Sequence, residues 1–120
     1  MLELIQEIPA TVVGVKATGK IRKADYKNVL WPALKALHDR NKKVSLLLQL
    51  ETPLKNYSLG AWVADAHTGL KYFRHWRKVA IVSSSNGIRR FTNVVGKLAP
   101  DQYKGFYLQE LEKAKEWAGA

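Results

Sequence analysis

The segment Val44–Leu50 constrains the fold more than any other part of the chain. It reads Val-Ser-Leu-Leu-Leu-Gln-Leu, so apolar residues stand at successive positions, although neighbouring side chains of a strand point to opposite faces. A strand of this kind needs cover on both faces, as in the middle of a sheet with parallel strands. Residues 78–83 include Val-Ala-Ile-Val and predict a second buried strand.

Helical periodicity fills the intervals between these strands. Residues 26–40 predict a first helix, and Pro32 within it predicts a kink or a helix assembled from two parts, because proline cannot donate a hydrogen bond to the carbonyl of Asn28. Ser58 is suited to cap a second helix. The apolar face predicted for this second helix consists of Leu59, Trp62, Val63, Ala66, Leu70 and Phe73. Residues 88–98 and 108–118 predict a third helix and a closing helix.

The remaining strands complete an α/β fold. Residues 2–8 and 11–18 are interrupted by Pro9 and predict an antiparallel hairpin, and residues 103–107 predict an edge strand. The order is β-β-α-β-α-β-α-β-α, in which alternating strands and helices favour parallel, right-handed connections. We therefore expect residues 1–120 to form one domain: a mixed sheet of about five strands with about four helices packed on it.

Cysteine usage and hydropathy narrow the class of protein. The 120 residues include no cysteine, which excludes disulfide frameworks, thiolate zinc sites and cysteine nucleophiles. No apolar run approaches the roughly 20 residues that span a bilayer. The N-terminal segment carries Glu3 where a signal peptide would carry lysines, and a cytoplasmic location is expected.

Positive charge is concentrated in one third of the chain. The sequence has 20 Lys and Arg against 10 Asp and Glu, a net charge of +10, and no acidic residue between Asp65 and Asp101. The bases in that interval are Lys71, Arg74, Arg77, Lys78, Arg89, Arg90 and Lys97. Such a field attracts phosphates, lipid head groups or acidic proteins. Ordinary surface charge that keeps the protein in solution is the alternative explanation.

The residues that could carry catalysis do not form a recognisable set. Among the histidines, His67 and His75 would each need a partner at position 71 to bind a metal from one helix face, and that position is Lys71. Neither G-x-S-x-G nor S-x-x-K occurs. Asp65 is expected to pair with an Arg or Lys. The sequence thus predicts a protein that is not an enzyme and has no metal site or cofactor.

The end of the second buried strand offers a candidate anion site. Ser83 to Gly87 is rich in serine and is followed by Arg89 and Arg90 at the start of the predicted third helix, where free N–H groups and guanidinium can hold an anion. Helix capping explains the serines equally well. The candidate ligand-binding residues are Lys71, Arg74, Ser84, Ser85, Arg89, Arg90 and Lys97.

Aromatic side chains accompany the basic interval. Helical spacing assigns Phe73 to the core and leaves Tyr72 and Trp76 as surface contacts for a partner. With no recognisable RNA- or DNA-binding motif, nucleic acid is disfavoured as that partner. An anionic lipid or membrane surface and an acidic protein remain. Trp62, Tyr72 and Trp76 could equally complete a homodimer interface.

Several short motifs in a fixed order resemble the SpoIIAA-like family over essentially the whole chain. They are Asp25-Tyr26 with Val29 and Pro32, the Leu-rich strand, Ser58-Leu59-Gly60-Ala61-Trp62, Asp65 followed by Gly69-Leu70, Arg77-Lys78-Val79-Ala80-Ile81-Val82, and Leu111-Glu112-x-Ala114-x-x-Trp117. The resemblance implies a small bacterial protein related to STAS domains. It also implies a relation to the lipid-carrying Sec14 (CRAL-TRIO) fold, and hence capture of a hydrophobic ligand.

The resemblance also assigns a role to Ser58. In STAS antagonists a serine at the start of the helix after the central strand is the regulatory phosphorylation site, and Ser58 matches it, although Asn56-Tyr57 replaces the usual residues before it. The main hypothesis is a non-enzymatic binding module with a basic helical face for a hydrophobic or anionic ligand. The alternative is a partner-switching regulator that docks a protein around Ser58.

Overall fold

The computed structural model describes residues 1–72, 74–84 and 102–120, except for the side chains of Leu54 and Trp62. The strands in these ranges are β1 (Leu2–Leu4), β2 (Val12–Ala17), β3 (Val44–Leu50), β4 (Trp76–Ser83) and β5 (Tyr103–Phe106). They form a sheet in the order β1-β2-β3-β4-β5. β1 pairs antiparallel with β2, and the other neighbours pair in parallel. The predicted mixed α/β sheet is confirmed.

β3 lies in the middle of the sheet, as its continuous apolar sequence predicts. Leu46 pairs with Val13 of β2 and Val79 of β4. Its neighbour Leu47, on the opposite face of the strand, is fully buried. Both faces of β3 are therefore covered, which explains why the strand has so few polar positions.

The helices within the described residues are α1 (Lys23–Asp25), a π-helical segment (Tyr26–Leu30), α2 (Trp31–Arg40), α3 (Leu59–Lys71) and α4 (Leu111–Gly119), with 3-10 turns at Leu54–Asn56 and Leu108–Glu110. The predicted two-part first helix is confirmed. Pro32 lies in the first turn of α2, and the preceding turn is wider, because the Trp31 N–H donates to the Tyr26 carbonyl five residues back. This π-helical turn accommodates the missing proline N–H.

Two apolar cores lie on the two faces of the sheet. One unites α2 and α3 with β2, β3 and β4, and includes Tyr26, Leu34 and Leu37. The other holds α4 against the sheet through Ala114 and Ala118. The predicted helix 88–98 lies outside the described residues.

The first strand is shorter than predicted. β1 ends at Leu4, and the chain then folds back so that Ile5 and Ile8 lie over Gly14 of β2. A Cβ atom at position 14 would be 3.3 Å from the Ile5 Cβ and still closer to the Ile8 Cδ1. The apolar alternation of residues 5–8 thus serves this loop packing and not the sheet.

Candidate functional site

A cavity of about 470 Å³ lies between α3 and the face of the sheet. α3 contacts α1 and the π-helical segment, and its buried residues include the small Ala61 and Ala64. At Gly60 the contact is close, since an added Cβ would lie 3.3 Å from the Lys23 Cβ. The contacts with α1 and the π-helical segment support one side of α3. The helix lies above the strands, and a groove is left beneath it.

Apolar side chains form most of the groove. Its floor consists of Leu46 and Leu48 from β3 and Val79 and Ile81 from β4. Its ends are Leu2 of β1 and Tyr103 of β5. Because these residues belong to the first and last strands of the sheet, the groove crosses four strand spacings, or about 19 Å. Its length and apolar walls suit an elongated hydrocarbon.

Asp65 brings a carboxyl group to the roof of this groove. Its Oδ1 accepts a hydrogen bond of 2.7 Å from the hydroxyl of Tyr26, which is buried beneath it. The hydroxyls of Tyr26 and Tyr57 share a second hydrogen bond. A chain of three polar groups therefore ends in the carboxyl group at the groove.

The surroundings change the acidity of all three groups. Burial raises the pKa of Asp65 above its ordinary 3.8, and the hydrogen bond from Tyr26 opposes this by stabilising the carboxylate. Burial also raises the pKa of Tyr57 to about 12 and that of Tyr26 far above its ordinary 10.0. The two tyrosines are therefore neutral hydrogen-bond groups at physiological pH. Asp65 is exposed to solvent, whereas the two tyrosines are buried.

Thr68 and the indole groups of Trp31 and Trp76 fix the helices beside the groove. The Trp31 Nε1–H donates to the Thr68 hydroxyl at 2.6 Å, and that hydroxyl donates to the Ala64 carbonyl at 2.7 Å. The Trp76 Nε1–H donates to the Gly69 carbonyl at 3.3 Å. These bonds hold α3 against α2 and the start of β4, so the groove has a defined width.

The sequence pattern assigned the wrong face of α3 to the core. Leu59, Val63 and Leu70 are 81%, 62% and 76% exposed, although they belong to the predicted buried stripe. The buried face carries Ala61, Ala64 and Thr68 instead. Leu59 and Val63 are left exposed on the helix, and the exposed Leu70 lines the groove.

The structure also differs from the predictions for Tyr72, Trp76 and Asp65. Tyr72 and Trp76, expected at the surface, are 4% and 6% exposed and pack together. Asp65 was expected to pair with a base, but its hydrogen-bond partner is Tyr26. No short-range sequence signal could show this, because Tyr26 and Asp65 are 39 residues apart. The helical spacing of Tyr26 indicated only that it was buried.

The structure describes three of the seven predicted ligand-binding residues. Lys71 and Arg74 are exposed and precede β4, and Ser84 is exposed and follows it. The length of β4, about 25 Å, separates the two groups, so the fold does not bring Ser84 together with Lys71 and Arg74. Ser85, Arg89, Arg90 and Lys97 lie outside the described residues, and the anion site proposed for them stays a prediction.

Ser58 begins α3 as predicted. Its hydroxyl accepts a hydrogen bond of 3.0 Å from the Ala61 N–H, the usual geometry of an N-cap. The residue is exposed, and the neighbouring Leu59 is 81% exposed. Ser58 is therefore accessible to a modifying enzyme or a protein partner while it performs a structural role.

His38 and His75 form a cluster away from the groove. Their ring centroids are 4.5 Å apart, and the His75 Nδ1 lies 3.1 Å from the Lys42 carbonyl oxygen. His75 lies beyond the end of α3, which ends at Lys71. Within the described ranges, no three His, Cys, Asp or Glu side chains approach closely enough to share a metal ion. None of the described helices is long and apolar enough to cross a membrane.

Comparison with known proteins assigns the chain to a family. It is similar in structure to an uncharacterised protein of the DUF3478 family with a SpoIIAA-like fold from Shewanella loihica PV-4, with a TM-score of 0.69 and 21% sequence identity over 98% of this chain and 92% of that one. No protein of curated function matches this chain. The sequence model of the SpoIIAA-like family matches residues 12–119. The chain therefore belongs to the SpoIIAA-like family.

Proposed function

We propose that this STAS-type module is non-enzymatic and holds a hydrophobic ligand in the groove between α3 and the sheet. The observation that supports this most is the cavity of about 470 Å³ with walls of Leu, Ile and Val. Ligand cavities commonly measure about 300–1,000 Å³, and most are apolar with a few polar groups. Asp65 and Tyr26 supply those polar groups at the roof.

Burial of apolar surface provides the driving force. Leu48 and Ile81 on the floor of the groove are only partly buried by the protein itself. A hydrocarbon laid on them removes apolar surface from water, which stabilises the complex by about 25 cal/mol for each Å² buried. The hydrogen bonds from Trp31 and Trp76 keep α3 in place, so little of that energy is needed to order the groove.

The end of the groove at the C-terminus of α3 combines apolar and basic residues. Leu70 lines the groove and is 76% exposed. Lys71 and Arg74 follow it in sequence and are also exposed. An exposed leucine beside two cations suits an anionic membrane surface, from which a hydrophobic ligand could pass into the groove. Vesicle binding that falls with salt and on the charge reversals Lys71→Glu and Arg74→Glu would support this route, and binding indifferent to both would refute it.

Displacement of a neutral dye from the groove tests the main proposal. N-phenyl-1-naphthylamine, which fluoresces in apolar surroundings, should bind the wild-type protein. Ala66→Phe and Gly69→Phe should weaken its binding at least tenfold, because both residues line the groove. Ala36→Phe is the matched control, since Ala36 is exposed on α2 and does not line the groove. Absence of dye binding, or equal binding by all four proteins, would refute the proposal.

Partner switching around Ser58 is the second candidate function. It is favoured by the exposure of Ser58 together with the exposed apolar side chain of Leu59. Phosphate at this position would lie at the positive end of the α3 dipole. Mass spectrometry of the protein isolated from its own cells would support this function by finding phosphate on Ser58. An unmodified serine in every growth phase would count against it.

A further inference from the structure

We propose that Asp65 makes the groove selective for ligands whose polar head donates hydrogen bonds, above all a primary ammonium on an aliphatic chain, and that it discriminates against carboxylate and phosphate heads. This inference rests on the proposed function, because it concerns the ligand of the same groove. It names the chemistry of the head group, which the apolar walls alone leave open.

The hydrogen bonds around Asp65 leave one oxygen available. Oδ1 accepts from the Tyr26 hydroxyl, whose buried ring fixes the orientation of the carboxyl group. Within the part of the chain that the structure describes, Asp65 has no ion pair and no other hydrogen bond. Oδ2 can therefore accept from a ligand. A carboxylate has acceptor sites only, so its natural partner is a donor.

The charges of the residues around the groove also favour an ammonium head group. Among the described residues that line it there is no lysine, arginine or histidine. An anionic head at the roof would meet Asp65 without a compensating cation from these described residues, whereas an ammonium would pair with Asp65. The apolar surroundings that raise the pKa of Asp65 penalise its charged form, and a bound ammonium would offset that penalty.

The overall charge of the protein opposes the proposed selectivity. A measured preference for the amine would therefore be a stringent test of the inference. With a net charge of +10, the protein as a whole attracts anions and repels cations. A preference for an amine over a carboxylic acid therefore cannot arise from the general field of the protein. It has to come from a local negative group at the binding site, and among the described residues that line the groove Asp65 is the acid.

Three ligands with the same hydrocarbon chain test the inference: dodecylamine, dodecanol and dodecanoate. Each is titrated against N-phenyl-1-naphthylamine bound to the wild-type protein near pH 7.5, below the aggregation concentration of the ligand and at physiological salt. The amine should bind at least tenfold more tightly than dodecanoate, with the alcohol between them. Asp65→Asn should remove the advantage of the amine over the alcohol. Asp39→Asn is the control, because Asp39 is an exposed acid of α2 that pairs with Lys35 outside the groove.

The outcomes separate this inference from the function on which it rests. Dodecanoate binding as tightly as dodecylamine would overturn the role of Asp65 and leave the hydrophobic groove intact. Failure of all three ligands to displace the dye would overturn the proposed function itself. The wild-type series decides the inference even if Asp65→Asn destabilises the protein, since it needs no variant. An equal loss of amine binding in Asp65→Asn and Asp39→Asn would attribute the loss to the change in net charge and refute the inference.

Discussion

Replacing Tyr26 with phenylalanine tests the polar chain beneath α3 directly. The substitution removes one hydroxyl from a side chain that is 1% exposed and leaves its ring in the core. The Asp65 Oδ1 then loses the donor that lies 2.7 Å away. Hydrogen bonds to charged groups stabilise proteins by about 1.5–3 kcal/mol. Because solvent still reaches Asp65, screening places the expected loss near the lower end, about 1.5–2 kcal/mol at neutral pH.

The pH dependence of this loss is the more specific part of the prediction. The folded-state pKa of Asp65 is raised above its ordinary value of 3.8. The stability that the protonated Asp65 contributes is therefore fully present below pH 3.8 and is lost as pH rises through the folded-state pKa. The Tyr26 hydrogen bond lowers the pKa and limits this loss. In Tyr26→Phe the folded-state pKa rises further and the loss grows. With a protonated carboxyl the bond is a neutral one, worth about 1 kcal/mol, so the difference between the proteins should grow by roughly 0.5–1 kcal/mol between about pH 3.5 and 7.5.

Urea unfolding followed by circular dichroism across that pH range measures the effect. Tyr57→Phe is the matched control, because it removes a hydroxyl one step further from the carboxyl group, and its cost should vary less with pH. If the cost of Tyr26→Phe is the same at both ends of the range, or larger at the acidic end, the bond does not act on a carboxylate and the reasoning is wrong.

Five further substitutions at four positions test the packing and the helix cap. Ser45→Ala should stabilise the fold by about 1 kcal/mol, because the fully buried Ser45 hydroxyl has no hydrogen-bond partner within the described structure; a loss of stability in thermal melts would contradict this. Ser58→Ala should cost about 1 kcal/mol and Ser58→Asp much less, since aspartate also caps helices; equal urea midpoints would disprove the capping role. Gly14→Ala should destabilise the fold by about 1–3 kcal/mol, because the new Cβ would contact Ile5. Gly69→Ala should stabilise α3 by up to about 1 kcal/mol, because its Cβ meets no atom within 4 Å. A Gly14→Ala protein more stable than the Gly69→Ala protein would refute both predictions.

The candidate site was only partly predictable from the sequence. Val44–Leu50 has bounds that agree with the predicted strand, and Ser58 caps the predicted helix, because both depend on local periodicity and capping chemistry. The prediction of which side of α3 faces the core was wrong. An apolar stripe shows that a helix is amphipathic, but α3 carries a second stripe of small residues, and close approach to α1 selected that one.

The sequence by itself determined the class of the fold. The doubly covered central strand and the alternation of strands with helices predict parallel pairing. The short connection at Pro9 predicts the antiparallel pair that makes the sheet mixed. Only the tertiary structure placed Tyr26 against Asp65 and held α3 above the sheet with a cavity beneath it. These features depend on contacts between residues far apart in the chain, whose distances follow from how side-chain volumes fit together and not from any local pattern.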